Sequence, residues 1–192
     1  MPYPTDNFPH APDNPPRTVP NFAREFFYVI SGDDVIITGY RGIPGDVVIP
    51  ATIDEKRVAS IGSGAFYQCD RITRVTIPDG VTSIGDAAFA GCRSLISVIM
   101  PDSVIDVGNN AFGGCDQLID VKLSNSLKSI GDQAFASCSS LTNMTIPGSV
   151  ESIGDGIFNY CGSLASITVL SIVMRKLRTR PDVLQLTDCR YS

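Results

Sequence analysis

The sequence predicts an α/β fold: a right-handed solenoid with a parallel β-ladder, short helical or 3-10 turns, and an N-terminal β-hairpin cap. Three observations carry this. First, Cys69, Cys92, Cys115, Cys138 and Cys161 recur every 23 residues, and a fixed long period marks stacked repeats rather than a disulfide framework. Second, other columns keep the same period: Ile61, Ile84, Val107, Ile130 and Ile153; Gly62, Gly85, Gly108, Gly131 and Gly154; Phe66, Phe89, Phe112, Phe135 and Phe158. Third, each period holds apolar residues two apart, such as Val75 and Ile77 or Val98 and Met100. That spacing places both on one face of a short strand.

The chain divides in order. Residues 1–20 hold seven of the thirteen prolines and the only histidine, His10, the composition of an extended or disordered leader. Residues 21–57 read as a capping hairpin followed by a degenerate coil. Phe26, Tyr28 and Ile30 lead into the turn Ser31-Gly32-Asp33-Asp34, and Val35-Ile36-Ile37-Thr38 runs back. Val47, Ile49 and Pro50 align with Val75, Ile77 and Pro78 once five extra residues around Asp54, Glu55, Lys56 and Arg57 are allowed. Residues 58–170 are five 23-residue repeats. Residues 171–192 are a divergent C-terminal cap or tail, since Lys176 stands where the period calls for an isoleucine.

Within one coil the strand's apolar face has no partner. It is buried only when coils stack, each about 4.8 Å from the next. The glycine column offers a residue free to take positive φ, and Ser63, Asp86, Asn109, Asp132 and Asp155 after it are N-cap types. A single helical or 3-10 turn is expected there, with the phenylalanine column plugging the interior.

The stretch Leu95-x-x-Val98-x-Met100 matches the L-x-x-L-x-L core of leucine-rich repeats. The longer string Ser129-Ile130-Gly131, Ala134-Phe135, Cys138 and Leu141, followed by an apolar strand and Pro147, resembles the BspA-like leucine-rich repeats. Residues 26–169 carry the likeness. The resemblance implies a surface, secreted or adhesion-type protein that binds other proteins outside the cell. No signal peptide is legible at the N-terminus, which leaves the cytoplasm open.

Composition narrows the function classes. Hydrophobic residues make up 43% and charged residues 18% of the 192, enough apolar material for a core. The net charge is −5, with Arg175, Lys176, Arg178, Arg180 and Arg190 concentrated at the C-terminal end. Nucleic-acid binding is not expected of such a chain, and no apolar run reaches transmembrane length. The cysteine column reads as core thiols rather than a metal ladder or disulfides, and Cys189 stands off the register. No paired carboxylates, histidine relay, cofactor motif or metal-ligand spacing stands out, so no catalytic residue, cofactor or metal is assigned.

What remains is binding. Residues that alternate with the buried strand positions face outward. Arg74; Ile96, Ser97 and Ile99; Ile119, Asp120 and Lys122; and Asn143 are the candidate binding residues. Ile96 and Ile119 are one period apart, with Ile99 beside them. This gives an apolar centre with a charged rim, as in a protein interface. The expected function is therefore non-catalytic protein–protein recognition. The alternatives are a structural spacer and a glycan- or cell-wall-binding segment of a larger protein.

Overall fold

The computed structural model describes residues 25–169. The expected leader, the C-terminal segment and Cys189 lie outside the described residues. The chain winds as a β-solenoid. Two antiparallel strands open it, β1 (Phe26–Ser31) and β2 (Asp34–Tyr40), followed by β3 (Gly45–Val48), β4 (Thr52–Ile53) and β5 (Lys56–Ile61). Each later coil adds one strand to each of two sides. One set is β6 (Ile72–Thr76), β8 (Ser97–Ile99), β10 (Asp120–Lys122), β12 (Asn143–Ile146) and β14 (Ser166–Val169). The other is the two-residue strands β7 (Ser83–Ile84), β9 (Asp106–Val107), β11 (Ser129–Ile130) and β13 (Ser152–Ile153).

The short strands continue the hairpin into an eight-stranded sheet, ordered β1-β2-β5-β7-β9-β11-β13 with β4 paired to β5. The wider side is β3-β6-β8-β10, followed by a separate β12-β14 pair. Coils stack in parallel: Ser97 lies opposite Arg74 and Asp120, and Asn143 opposite Ser166. At the N-terminal end β3 lies on β6 with Val47 opposite Val75. The extra residues form the tight β4–β5 turn, where Asp54 and Glu55 take φ of 50° and 62°. This turn is clasped to the opening hairpin. Tyr28 donates to Asp54 at 2.7 Å, Lys56 reaches Asp33, and Arg57 grips Asp34. Burial, with the Asp54 carboxylate second, pushes the Tyr28 hydroxyl up to about 12.

Of the helical or 3-10 turn expected on the third side of each coil, the structure shows isolated 3-10-type bonds and, among the described residues, no α-helix. The reason is where the amides go. In the second coil Ala88, Ala90 and Cys92 donate three residues back, to Gly85, Ala87 and Phe89. The alternate residues Ala87, Phe89 and Gly91 instead donate across to Asn109, Ala111 and Gly113 of the next coil. A helix would keep all these bonds to itself. Here half of them bind coil to coil.

Two further assignments are corrected by the same geometry. The glycine column is not the positive-φ position. Those positions fall two and six residues later, as at Ala87 (52°) and Gly91 (74°) or Gln133 (55°) and Ser137 (59°). The glycines are required for close approach. A Cβ on Gly131 would meet the Asn109 backbone nitrogen at 2.5 Å, and one on Gly108 the Asp86 nitrogen at 2.6 Å. The Asp/Asn column does not cap helices either. Asp86, Asn109 and Asp132 each accept, at 2.7 Å, the backbone N–H of the column mate one coil on.

Inside, like stacks on like. Phe66, Phe89, Phe112 and Phe135 are fully buried, and their rings lie 4.7, 5.2 and 5.3 Å apart, within 13° of parallel. Offset stacks of this kind contribute about 0.5–1.5 kcal/mol per pair beyond burial. Tyr40 of β2 closes the stack 5.3 Å from Phe66, and Phe26 of β1 packs edge-on against the same ring. The hairpin thus supplies the aromatic surface that a missing coil would have supplied. The five cysteines among the described residues are free. Cys92, Cys115 and Cys138 are buried, each thiol donating to the carbonyl of a phenylalanine in the preceding coil at 3.0–3.3 Å. Cys69 and Cys161, at the ends of the column, are half-buried. Burial pushes the Cys92 thiol up and Cys115 to about 12, while Cys138 is raised first by its interaction with the Cys161 thiol and then by burial.

Three outcomes follow from this packing. Phe135→Ala should destabilise by about 3–5 kcal/mol in chemical denaturation, and more than Phe158→Ala at the end of the stack. Gly131→Ala should cost about 1–3 kcal/mol by overpacking, whereas Gly162→Ala, with open space around its Cα, should leave the melting temperature unchanged. Thiol labelling of the native protein should modify Cys69 and Cys161 first. Cys92, Cys115 and Cys138 should react only at the rate of unfolding, because both burial and a scarce thiolate protect them; rapid labelling of Cys115 would contradict the packing described.

Candidate functional site

The outward positions of β6, β8 and β10 form a continuous surface because the strands are in parallel register. Three rows cross it. Thr76, Ile99 and Lys122 face one another across adjacent strands, and Val48 of β3 extends that row beyond Thr76. Asp46, Arg74, Ser97 and Asp120 form the second. The third lies just before the strands. The Ile96 amide donates to the Thr73 carbonyl and the Ile119 amide to the Ile96 carbonyl, both at 2.9 Å, so Thr73, Ile96 and Ile119 sit side by side.

The eight residues expected from sequence all fall on this side of the solenoid. Ile99 is 60% exposed and Ile119 51%, high values for isoleucines on a β-strand face. Ile96 is half-buried between its neighbours. Asp120 and Lys122 are exposed at the far edge of the apolar spot. Arg74 is exposed as well, but its guanidinium lies 3.5 Å from the Asp46 carboxylate, which also accepts from Thr73 at 2.7 Å. Exposed pairs of this kind contribute about 0–1 kcal/mol, so Asp46 orients Arg74 and dilutes its charge rather than locking it.

Asn143 is the outlier. It lies on β12, in the separate β12-β14 ladder beyond β10. Its amide donates to Thr142 at 3.0 Å and its oxygen accepts from Ser166 at 3.2 Å. The structure places it beside the candidate cluster but occupies it with its own ladder. Sequence reasoning missed Asp46 and Val48, the latter 57% exposed. The signal was present: matching Val47 to Val75 puts Val48 in the outward column with Thr76 and Ile99.

The surface therefore carries a small apolar cluster, Ile96 and Ile99 on one coil and Ile119 on the next, with the Arg74–Asp46 pair on one side and Asp120 with Lys122 on the other; Val48 lies beyond Thr76. Such a surface can bury area against a flat partner. Among the described residues no helix is long and apolar enough to cross a membrane.

Comparison with known proteins agrees with this architecture. Residues 59–178 match the family model for the BspA type leucine rich repeat region, in six copies. Among solved structures, the T. pallidum leucine rich repeat protein is similar at 38% identity and a TM-score of 0.74, over 76% of this chain and 69% of that one. A leucine rich cell surface protein from Faecalibacterium prausnitzii is similar at 31% identity and a TM-score of 0.68, over 83% of this chain. This chain spans 44% of that protein's length. A leucine-rich repeat protein from Bacteroides capillosus is similar at 30% identity and a TM-score of 0.51, over 77% of this chain and 95% of that one. A search of curated proteins gives no match. With the family match covering more than half of the residues, and the stacked coils carrying the family's phenylalanine, cysteine and strand columns, the chain belongs to the BspA-type leucine-rich repeat family.

Proposed function

We propose that this chain is a non-catalytic protein-recognition module that acts at or outside the cell surface and docks its partner on the face of β6, β8 and β10. The observation that supports the reading best is the pair Ile99 and Ile119, both more than half exposed on a rigid parallel sheet. Scattered exposed apolar residues are ordinary. Ile96, Ile99 and Ile119 clustered on two adjacent coils, with Arg74 on one side and Asp120 and Lys122 on the other, have the centre-and-rim composition of an interface. The surface placement rests on the relative described as a cell surface protein. A uniform spacer would carry small polar residues on every coil, and the second and third coils of this chain depart from that.

The double variant Ile99→Asp with Ile119→Asp tests the face. Both side chains point to solvent, so circular dichroism and melting temperature should stay at wild-type values. The partner captured by the wild-type protein from host-cell membrane fractions, identified by mass spectrometry, should bind the variant at least about tenfold more weakly, a loss of about 1.4 kcal/mol. Unchanged affinity would remove this face as the docking site. Unfolding would show that the two isoleucines belong to the core.

A further inference from the structure

The turn side of the solenoid, opposite in character to the strand face, carries a groove of about 320 Å³. It is made by two columns that follow the buried phenylalanines. Their first members are Tyr67 and Gln68, and their last are Asn159 and Tyr160. Between them the same columns read Ala90-Gly91, Gly113-Gly114 and Ala136-Ser137. Large residues on the first and fifth coils wall a trough whose floor is cut down to glycine, alanine and serine on the three coils between. At about 4.8 Å per coil the walls stand roughly 19 Å apart.

The floor is rigid. Gln68, Gly91, Gly114 and Ser137 all take positive φ, and each donates its amide to the carbonyl one coil on at 2.7–2.8 Å. The chemistry of the lining is specific in another way: it holds no Lys, Arg, Asp or Glu. What it offers is four side-chain amides, from Gln68, Asn110, Gln133 and Asn159, and two tyrosine rings that are 56% and 85% exposed. An amide side chain presents a donor pair and an acceptor together. Adjacent hydroxyls of a sugar, each both donor and acceptor, complement that pair, while the C–H face of a pyranose ring packs flat on a tyrosine. Nucleic acid and anionic lipid would require cations, which the groove lacks.

We propose that this trough is a binding site for an uncharged oligosaccharide, about three to four pyranose rings by the coil spacing, held end to end between Tyr67 and Tyr160. The site is separate from the strand face and does not depend on it. Its preformed floor spares the ligand the cost of ordering the protein on binding.

The chain has no tryptophan, and two of its six tyrosines line the groove, so tyrosine fluorescence carries a signal from the site. The full chain is titrated with cellotetraose, maltotetraose, mannotetraose and chitotetraose, and with the acidic tetragalacturonate as a charged control. At least one neutral tetrasaccharide should bind saturably and tetragalacturonate should not. Tyr160→Ala should weaken that binding at least about tenfold, measured by calorimetry because it removes a reporter. Ser137→Tyr should abolish it by filling the trough. The column already accommodates a tyrosine at the same backbone geometry in Tyr160 (φ 62° against 59°), so Ser137→Tyr should fold, and the melting temperature checks this. The Ile99→Asp/Ile119→Asp variant should bind the saccharide as wild type does, which separates this site from the protein-docking face. Absence of saturable binding by all four neutral sugars would overturn the proposal. So would equal binding of tetragalacturonate, or affinity indifferent to both Tyr160→Ala and Ser137→Tyr.

Discussion

The structure depends on how closely one coil approaches the next. Each coil satisfies about half of its turn amides, and strand amides along the paired ladders, on a neighbour, so no coil is a folding unit alone. That bonding requires ladder spacing of about 4.8 Å everywhere around the coil, including the corner after each short strand. There a side chain would collide with backbone. The glycine column is the answer: at Gly85, Gly108, Gly131 and Gly154 a Cβ would fall 2.3–2.6 Å from the backbone nitrogen of the coil before. Positive φ, the more familiar reason for glycine, is met elsewhere in the turn by residues as varied as Ala87, Asn110 and Tyr160.

Fixed spacing also dictates what the columns contain. A phenylalanine ring stacks well on another at about the ladder distance, and the observed separations of 4.7–6.1 Å follow the backbone. A small thiol fits beside it and donates to the carbonyl one coil back. An aspartate or asparagine at the corner accepts the next coil's amide, which would otherwise be an exposed donor without a partner. Each column solves one recurring local problem, and the same residue type solves it in every coil. The N-terminal hairpin ends the pattern by imitating it, with Tyr40 taking the place of a phenylalanine and Gly62 donating to Ile37 as later glycines donate to the coil before.

Positions outside these columns are free to vary, and there the chain becomes individual. The strand face carries an apolar cluster on its second and third coils, while the turn face is hollowed on the second to fourth. The two surfaces lie on different sides of the coil and share no residue. A solenoid permits this because changing an outward residue leaves the ladder beneath it intact.

Much of this was legible from the amino-acid sequence. The period, the buried columns and the outward positions of Ile99, Ile119 and Lys122 follow from spacing alone, since a repeat places equivalent residues in equivalent surroundings. The hairpin could be read from its turn residues, and Val48 from the alignment of Val47 with Val75. What the sequence left open were the roles of residues that face a neighbouring coil. Glycine suits positive φ and close approach equally, and aspartate suits a helix N-cap and a backbone ladder equally. Only the tertiary structure decides, because the deciding atom belongs to a residue 22 or 23 positions away. The same holds for Arg74, whose charge is shared with Asp46 across a strand pair, and for the trough between Tyr67 and Tyr160. Residues 93 apart become its two walls only after the coils have stacked.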